Sequence, residues 1–227
     1  FYDAKDQVIY VGKSVSIRDR VASYFNSQSN IGPKTRLLIN KIAQIKYIKV
    51  FSEFEALLLE SHLIKKYNPY FNIQSKDDKS PLYIKITTGE IPLILTTRKE
   101  KFQTKIFLKG PFPSVKVARG ILRTIRKIFP YCHHKNPKKP CLYVHLGLCS
   151  FPWQDSNSKI RYGKTIKKIK KLLSGKSKEL IGQLTQEMRK HSQNLQYEEA
   201  AQAKNQIEKL QFLLNTYHAP REFLEQP

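Results

Sequence analysis

The sequence is short of the features that would carry it through a membrane or out of the cell. Its 227 residues include only three cysteines, an odd number that makes no disulfide framework, so a reducing compartment is the simpler expectation. No uninterrupted apolar run approaches the ~20 residues that a membrane helix needs, and no basic-then-apolar secretory leader opens the chain. A cytoplasmic location without a membrane partner is the resulting expectation. Acidic side chains are scarce too: 18 Asp and Glu stand against 41 Lys and Arg, a formal net charge of +23. The scarcity is local, because residues 91–178 hold 22 basic and two acidic side chains, whereas residues 179–227 hold five and seven. A basic middle of this kind is the electrostatic footprint of a polyanion, most often nucleic acid. An anionic membrane surface would call for large apolar residues opposite the basic face, or for a lipidation motif, and the sequence offers neither. At 40% hydrophobic residues the chain can still bury one good core and carry a smaller appendage.

The chemistry-bearing residues begin early. Phe1 to Tyr10 reads as a hairpin turning at Ala4-Lys5-Asp6, and Gly12 breaks the strand that ends it. Ile17, Val21 and Phe25 then recur at helical spacing, which puts Arg20 and Tyr24 on one face. If Gly12 lets Lys13 leave the strand at a sharp angle, Tyr10, Lys13, Arg20 and Tyr24 converge on one small volume. Two cations and two phenols suit a phosphate ester, since cations stabilise charge on phosphate oxygens and a phenol can position a water. The other reading open at this point is half-buried tyrosines beside a solvated basic face. Gly32-Pro33 leads into a second helix marked by Leu38, Ile42 and Ile45, followed by a strand around Tyr47, Lys49 and Phe51.

The next helix carries the clearest boundary signals, a Ser52-x-x-Glu55 capping pattern at its start and Asn68-Pro69 at its end. Glu60 lies inside it with Ala56, Leu57, Leu63 and Ile64 at the flanking helical positions, so its carboxylate is expected on an apolar face. Such a group is either half of a structural ion pair or a hard oxygen ligand for Mg²⁺ or Mn²⁺. Residues 68–72 read as a turn and short extended piece, residues 76–79 as a charged loop, and strands are expected at 82–87, 92–97 and 105–108.

Further on, residues 114–129 read as a helix with an apolar stripe of Val117, Ile121, Ile125 and Ile128. Lys116, Arg119, Arg123 and Arg126 fall on another face, where they could track a phosphate backbone or simply meet solvent. Cys132, Cys141 and Cys149 follow, interleaved with His133, His134 and His145. That composition suggests zinc or an iron–sulfur cluster, yet there is no C-x-x-C pair, and inert buried thiols remain the other reading. Residues 162–178 form a lysine-rich link. Two helices then meet about a break at 192–195, with Leu180, Leu184 and Met188 facing Ala200, Ala203, Ile207 and Leu210. A hairpin this small leaves apolar surface uncovered, which argues for a protein partner.

Taken together, Tyr10-Val11-Gly12-Lys13, Arg20, Tyr24 and the helix EALLLESHLIKKYNPYFN with Glu60 and Asn72 resemble the second half of the GIY-YIG nuclease domain of the UvrC family, and the likeness to that family goes on in the segments at 76–80 and 110–112. The likeness continues through the cysteines, though the family's fourth cysteine falls at Trp153, and into Tyr197-Glu198-Glu199-Ala200-Ala201, which resembles the motif by which this family meets UvrB. The resemblance implies that Tyr10 lies beside an attacking water and that Lys13, Arg20 and Tyr24 contact phosphate or position that water. It also implies that Glu60 holds one divalent metal ion, that Asn72 orders the site, and that Tyr197, Ala200 and Ala201 contact the partner. The family's first motif would fall just before Phe1, and its second nuclease domain does not follow residue 227, so a fragment or short relative is expected.

The expected fold class is α+β. A small α/β nuclease domain spans 1–110, a basic helix and cysteine-bearing linker 111–178, and a two-helix antiparallel hairpin with a short tail 179–227. The expected function is structure-specific incision of damaged double-stranded DNA in excision repair, delivered by a UvrB-type protein. A stand-alone repair endonuclease and a non-catalytic DNA-binding adaptor are the alternatives.

Overall fold

Leu82, Ile84 and Ile86 alternate with Tyr83 and Lys85, and that period of two produces the central strand of the molecule, β1 (Leu82–Ile86), whose first set is buried and second half-exposed. The computed structural model describes residues 1–26, 32–50, 52–73, 82–98, 106–112, 114–134 and 139–215; the 76–80 loop and the strand ends expected at Phe51 and Lys105 lie outside them. β1 pairs antiparallel with β2 (Ile94–Arg98) on one side and with β3 (Phe107–Phe112) on the other. The register along β3 shifts between Leu82 and Ile84, at Gly110. There φ is 149°, and a Cβ would stand 2.6 Å from the Tyr83 ring and 2.9 Å from the Leu82 carbonyl oxygen, so only glycine fits. The division drawn at residue 110 from the sequence therefore cuts through β3.

The architecture is α+β, as expected. Helix α5 (Val115–Ile128), capped by the Ser114 hydroxyl accepting from the Val117 N–H at 3.2 Å, packs on β1 and β3 and buries Ala118, Ile121, Ile125 and Ile128. Helix α3 (Glu53–Tyr67) runs along β3. Ser52 caps it by accepting from the Glu55 N–H at 3.1 Å, and Asn68 closes it in the left-handed conformation.

The lysine-rich link is not a link. Asp155 accepts from the Ser158 N–H at 2.7 Å and starts α7 (Ser156–Leu173), an eighteen-residue helix burying Tyr162, Ile166, Ile169, Leu172 and Leu173. Those positions are spaced four, three, three and one apart, a core stripe that the lysines between them hide on inspection. The Tyr162 hydroxyl donates to the Pro92 carbonyl at 2.7 Å and accepts from the Cys132 N–H at 3.2 Å, tying helix, strand loop and cysteine segment together.

Helices α8 (Ser177–Gln193) and α9 (Tyr197–Asn215) form the expected antiparallel hairpin. It does not stand apart. Leu180, Leu184 and Leu210 are fully buried in the same core as Ile84, Ile125 and Ile169. Lys168–Glu187 at 2.5 Å and Lys171–Glu179 at 2.8 Å join α7 to α8. The apolar seam that argued for a partner is covered by the chain's own helices over this half. Among the described residues no helix is long and apolar enough to cross a membrane.

Residues 1–50 are built differently. Isolated antiparallel bridges pair Tyr2 with Val8 and with Gln44, so the Phe1–Tyr10 hairpin is present, turning where Asp3 accepts from the Lys5 and Gln7 N–H groups at 2.9 Å each. Helix α1 (Ile17–Asn26) and helix α2 (Pro33–Lys41) follow. Ile42 caps α2 and Ile45 lies beyond it. Among the described residues, 45–49 are exposed, Val50 is half-buried and none of them pairs in a strand, where one was expected around Tyr47, Lys49 and Phe51.

Candidate active site

A cleft of about 690 Å³ opens between the hairpin, α1, the 45–50 segment and one side of α3. Tyr10, Lys13, Arg20, Tyr24 and Glu60 all line it. The Tyr24 hydroxyl donates to the Tyr10 hydroxyl at 3.4 Å, and the Arg20 guanidinium carbon is 5.3 Å from the Tyr24 ring centroid. Phe1 completes a three-ring cluster, 5.4 Å from Tyr10 and 5.7 Å from Tyr24 between centroids. Burial and the Tyr24 hydroxyl push the Tyr10 phenol up to about 12, with Arg20 pulling the other way, so Tyr10 keeps its proton at neutral pH.

Gly12 serves the site by a route other than the one its position suggested. Its backbone is not left-handed. A Cβ there would stand 2.8 Å from both Cε1 and the hydroxyl oxygen of Tyr10, so the glycine makes room for the tyrosine ring.

Asn72 lies on a short helical turn, α4 (Tyr70–Ile73), where an extended piece was expected. The turn lets the Phe71 N–H donate to the Ile9 carbonyl at 3.1 Å and brings the Asn72 amide against Val11. Asn72 Oδ1 accepts from the Val11 N–H at 2.8 Å and Nδ2 donates to the Val11 carbonyl at 2.7 Å, a two-point clamp on the residue after Tyr10.

Glu60 is less deeply placed than its apolar neighbours implied, because α3 faces two ways. Phe54, Leu57, Leu58 and Ser61 turn into the main core, while Ala56, Leu59, Glu60 and Leu63 form the cleft wall. Burial raises the Glu60 carboxyl above its ordinary value, opposed by the Lys13 charge, the Lys13 N–H it accepts from, and Arg20. A single half-buried carboxylate at an open cleft fits a hard divalent ion that keeps several of its waters. Lys13 itself is bound elsewhere: its Nζ donates to Glu53 Oε1 at 2.7 Å, with both side chains largely shielded. The sequence reading missed Glu53, since an acid in the first turn of a helix is explained by the helix dipole alone.

The other expected sites separate. Lys116, Arg119 and Arg123 are exposed along α5, but Arg126 leaves the stripe. Its guanidinium lies between the rings of Tyr131 (4.2 Å) and Tyr143 (4.7 Å), and Nη2 donates to His133 Nδ1 at 3.2 Å. Burial and Arg126 lower the His133 pKa, consistent with a neutral imidazole accepting that bond. The tyrosines that capture Arg126 come from the chain just past α5 and from a later helical turn, α6 (Leu142–His145), which the periodicity of α5 cannot reveal.

Cys132 and Cys149 are buried free thiols and Cys141 is partly exposed. Cys149 is held below its ordinary value chiefly by the hydrogen bond from Cys132, and Cys132 is pushed up by the same contact and by burial. Among the described residues no group of three or more His, Cys, Asp or Glu side chains is arranged to hold a metal ion, and Trp153 packs against the core. In the hairpin, Tyr197 is 66% exposed at the tip beside an exposed Leu195, with Ala201 exposed and Ala200 half-buried.

A cleft that brings Tyr10, Tyr24, Lys13, Arg20 and Glu60 together on an α+β scaffold has chemistry suited to a phosphate ester. Comparison with known proteins gives the lineage. Residues 1–73 match the UvrC-like GIY-YIG domain, residues 81–172 the UvrC/Cho excinuclease middle domain, and residues 178–211 the UvrB/uvrC motif. Through these three segments in order, the chain belongs to the UvrC family. It is 43% identical to the UvrABC system protein C of Clostridium novyi over 88% of its own length and 34% of that relative's. Against the proteins of the same name, identity is 37% in Methanothermobacter thermautotrophicus (96% of this chain, 37% of the relative) and 40% in Clostridium tetani (90% and 34%). The chain thus spans about a third of the length of these relatives. No solved structure gives a significant match.

Proposed function

We propose that this chain is the incising amino-terminal part of a nucleotide excision repair endonuclease, cutting one DNA strand near a lesion after delivery by a UvrB-type protein. The observation that carries the reading is the convergence of Tyr10, Arg20, Tyr24 and Glu60 on one cleft, with the two phenol oxygens 3.4 Å apart. Tyr10, protonated at neutral pH, hydrogen-bonds and orients the attacking water rather than acting as a standing phenolate. Arg20 reaches the same volume and balances charge on the phosphate oxygens. Asn72 keeps the Tyr10 strand in register through Val11, and Glu53 anchors Lys13 at the cleft wall. Glu60 would hold a Mg²⁺ or Mn²⁺ ion, which when bound supplies Lewis-acid stabilisation of the scissile phosphate.

Lys116, Arg119 and Arg123 provide sequence-independent contact to the DNA backbone. The exposed hairpin tip around Tyr197 is the docking end for the UvrB-type partner, because Leu195 and Tyr197 stand exposed there while Leu180, Leu184 and Leu210 are buried in the chain's own core. The test is Glu60→Gln, assayed on nicked and bubble DNA in Mg²⁺ with and without the family's first motif supplied ahead of Phe1. Incision should disappear while DNA affinity barely changes. Cutting at near the unsubstituted rate would remove Glu60 from the chemistry.

A further inference from the structure

Glu60 is the only acid among the described residues lining the cleft, and Lys13 and Arg20 are the cations whose charge acts on it. A lone carboxylate in such company ordinarily becomes half of an ion pair, which occupies the oxygens that a divalent ion would need. Here each cation is held by another group. Arg20 lies over the Tyr24 ring, 5.3 Å from its centroid. Lys13 exerts the larger influence, and its backbone N–H already donates to Glu60. Its ammonium nevertheless goes to Glu53, whose Oε1 accepts from Nζ at 2.7 Å, with only 25% and 19% of the two side chains exposed. Glu53 and Glu60 lie seven residues apart on α3, about two turns, so they share a face at roughly 10 Å separation along the axis. One lysine thus meets two acids, its N–H on one and its ammonium on the other.

We propose that Glu53 is a positioning residue for the metal site: by holding the Lys13 ammonium it keeps that cation off Glu60 and leaves the Glu60 carboxylate free to take a divalent ion. The proposal rests on the reading of Glu60 as the Mg²⁺ or Mn²⁺ ligand and adds the group that keeps this ligand available. Without Glu53, rotation about the side-chain bonds of Lys13 brings Nζ onto the carboxylate that its N–H already contacts. Ammonium and divalent ion then compete for the same oxygens. The pair with Glu53 suits this role because it is short and largely shielded, whereas a fully exposed pair holds its partners weakly. The start of α3 does not depend on Glu53, since Ser52 caps it through the Glu55 N–H and Glu55 supplies a first-turn acid to the helix dipole.

The experiment measures Mn²⁺ binding to the full chain by electron paramagnetic resonance of the free ion, without DNA or turnover. Glu53→Gln, which keeps the shape of the side chain and removes its charge, should weaken binding by roughly ten- to a hundredfold. Lys13→Met breaks the same pair from the other side and should leave binding within about threefold of the unsubstituted protein, or tighten it. In the double variant the loss caused by Glu53→Gln should vanish, because no ammonium is left to compete. A loss of equal size with and without Lys13 overturns the proposal, since Glu53 then acts through its own charge at a distance. A loss from Lys13→Met as large as that from Glu53→Gln overturns it in favour of a pair that only fastens the loop to α3. No loss from Glu53→Gln overturns it outright. Glu60→Gln distinguishes these failures from failure of the metal reading: if that variant binds Mn²⁺ no differently from the unsubstituted protein, the metal reading falls and the proposal with it. Binding that depends on Glu60, together with an additive Glu53 and Lys13 cycle, overturns the proposal alone.

Discussion

The two ends of this molecule are held together by different physics. Among the described residues, the amino-terminal lobe has a core of three buried apolar side chains, Ile9, Leu38 and Phe71, with Phe1, Tyr10, Tyr24 and Ile42 packed half-exposed around them. The body has one continuous core from Phe54 to Leu210, shared by the sheet, α3, α5, α7 and the hairpin. Where apolar burial is scarce, hydrogen bonds do the positioning: the Asn72 clamp on Val11, the Phe71-to-Ile9 bond and the Lys13–Glu53 pair all lie within reach of the cleft. A site needs open polar volume, which a dense core denies, so the lobe that carries the candidate site is also the one with least burial to stabilise it. α3 couples the two regions, with Phe54, Leu57 and Leu58 in the large core and Glu60 at the cleft.

The largest effect that would test this contrast is a cavity in the body. Leu184 is fully buried on α8 although it belongs to a segment whose sequence suggests an independent docking hairpin. Leu184→Ala should cost ~2–5 kcal/mol of global stability, seen as a lower denaturant midpoint together with lost hydrogen-exchange protection in α5, α7 and α9. Loss of protection confined to α8 and α9 would show that the hairpin folds by itself and that the shared core does not couple it to the sheet.

A smaller and local effect is expected at the other end. Asn72→Ala leaves the Val11 N–H and carbonyl half-buried without their partner, at a cost of about 1–3 kcal/mol. Hydrogen exchange should speed up across residues 1–24 and leave the body unchanged, because no buried contact of the large core is touched. A drop in global stability as large as that of Leu184→Ala would merge the two regions into one cooperative unit.

Sequence reasoning reads this contrast only on one side. Elements whose signal is local were legible: the Ser52 cap, the Asn68-Pro69 stop, the α5 stripe, the Phe1–Tyr10 turn, the alternation in β1. Tyr10, Lys13, Arg20 and Tyr24 line one cleft, the convergence that a strand end and a short helix led one to expect, and Glu60 of α3 lines it with them. What failed depends on partners distant in sequence. α7 was hidden because its lysines dominate the composition of a stripe whose meaning comes from the sheet and hairpin it meets. Arg126 was assigned to the basic face because Tyr131 and Tyr143, which capture it, lie beyond the helix. Glu60 was expected on a fully apolar face because Leu57 and Leu63, both its helical neighbours, serve opposite sides of α3.

The smallest expected effect concerns protonation at the junction of the two regions. Burial raises the Glu60 carboxyl above its ordinary value, so between that value and the raised one the folded protein binds more protons than the unfolded chain. Stability should therefore fall slightly as pH rises through that window and level off once Glu60 is ionised in both states. Glu60→Gln should abolish this slope while leaving those of other carboxylates intact, a comparison made by denaturant titration at closely spaced pH values without divalent metal. With Mg²⁺ present the wild-type slope should shrink or reverse, since an ion on the carboxylate favours the charged form that burial opposes. A wild-type slope identical to that of Glu60→Gln would mean that the carboxylate is as solvated in the fold as in the unfolded chain. α3 would then present it to water, and the large core would contribute nothing to the chemistry of the small one.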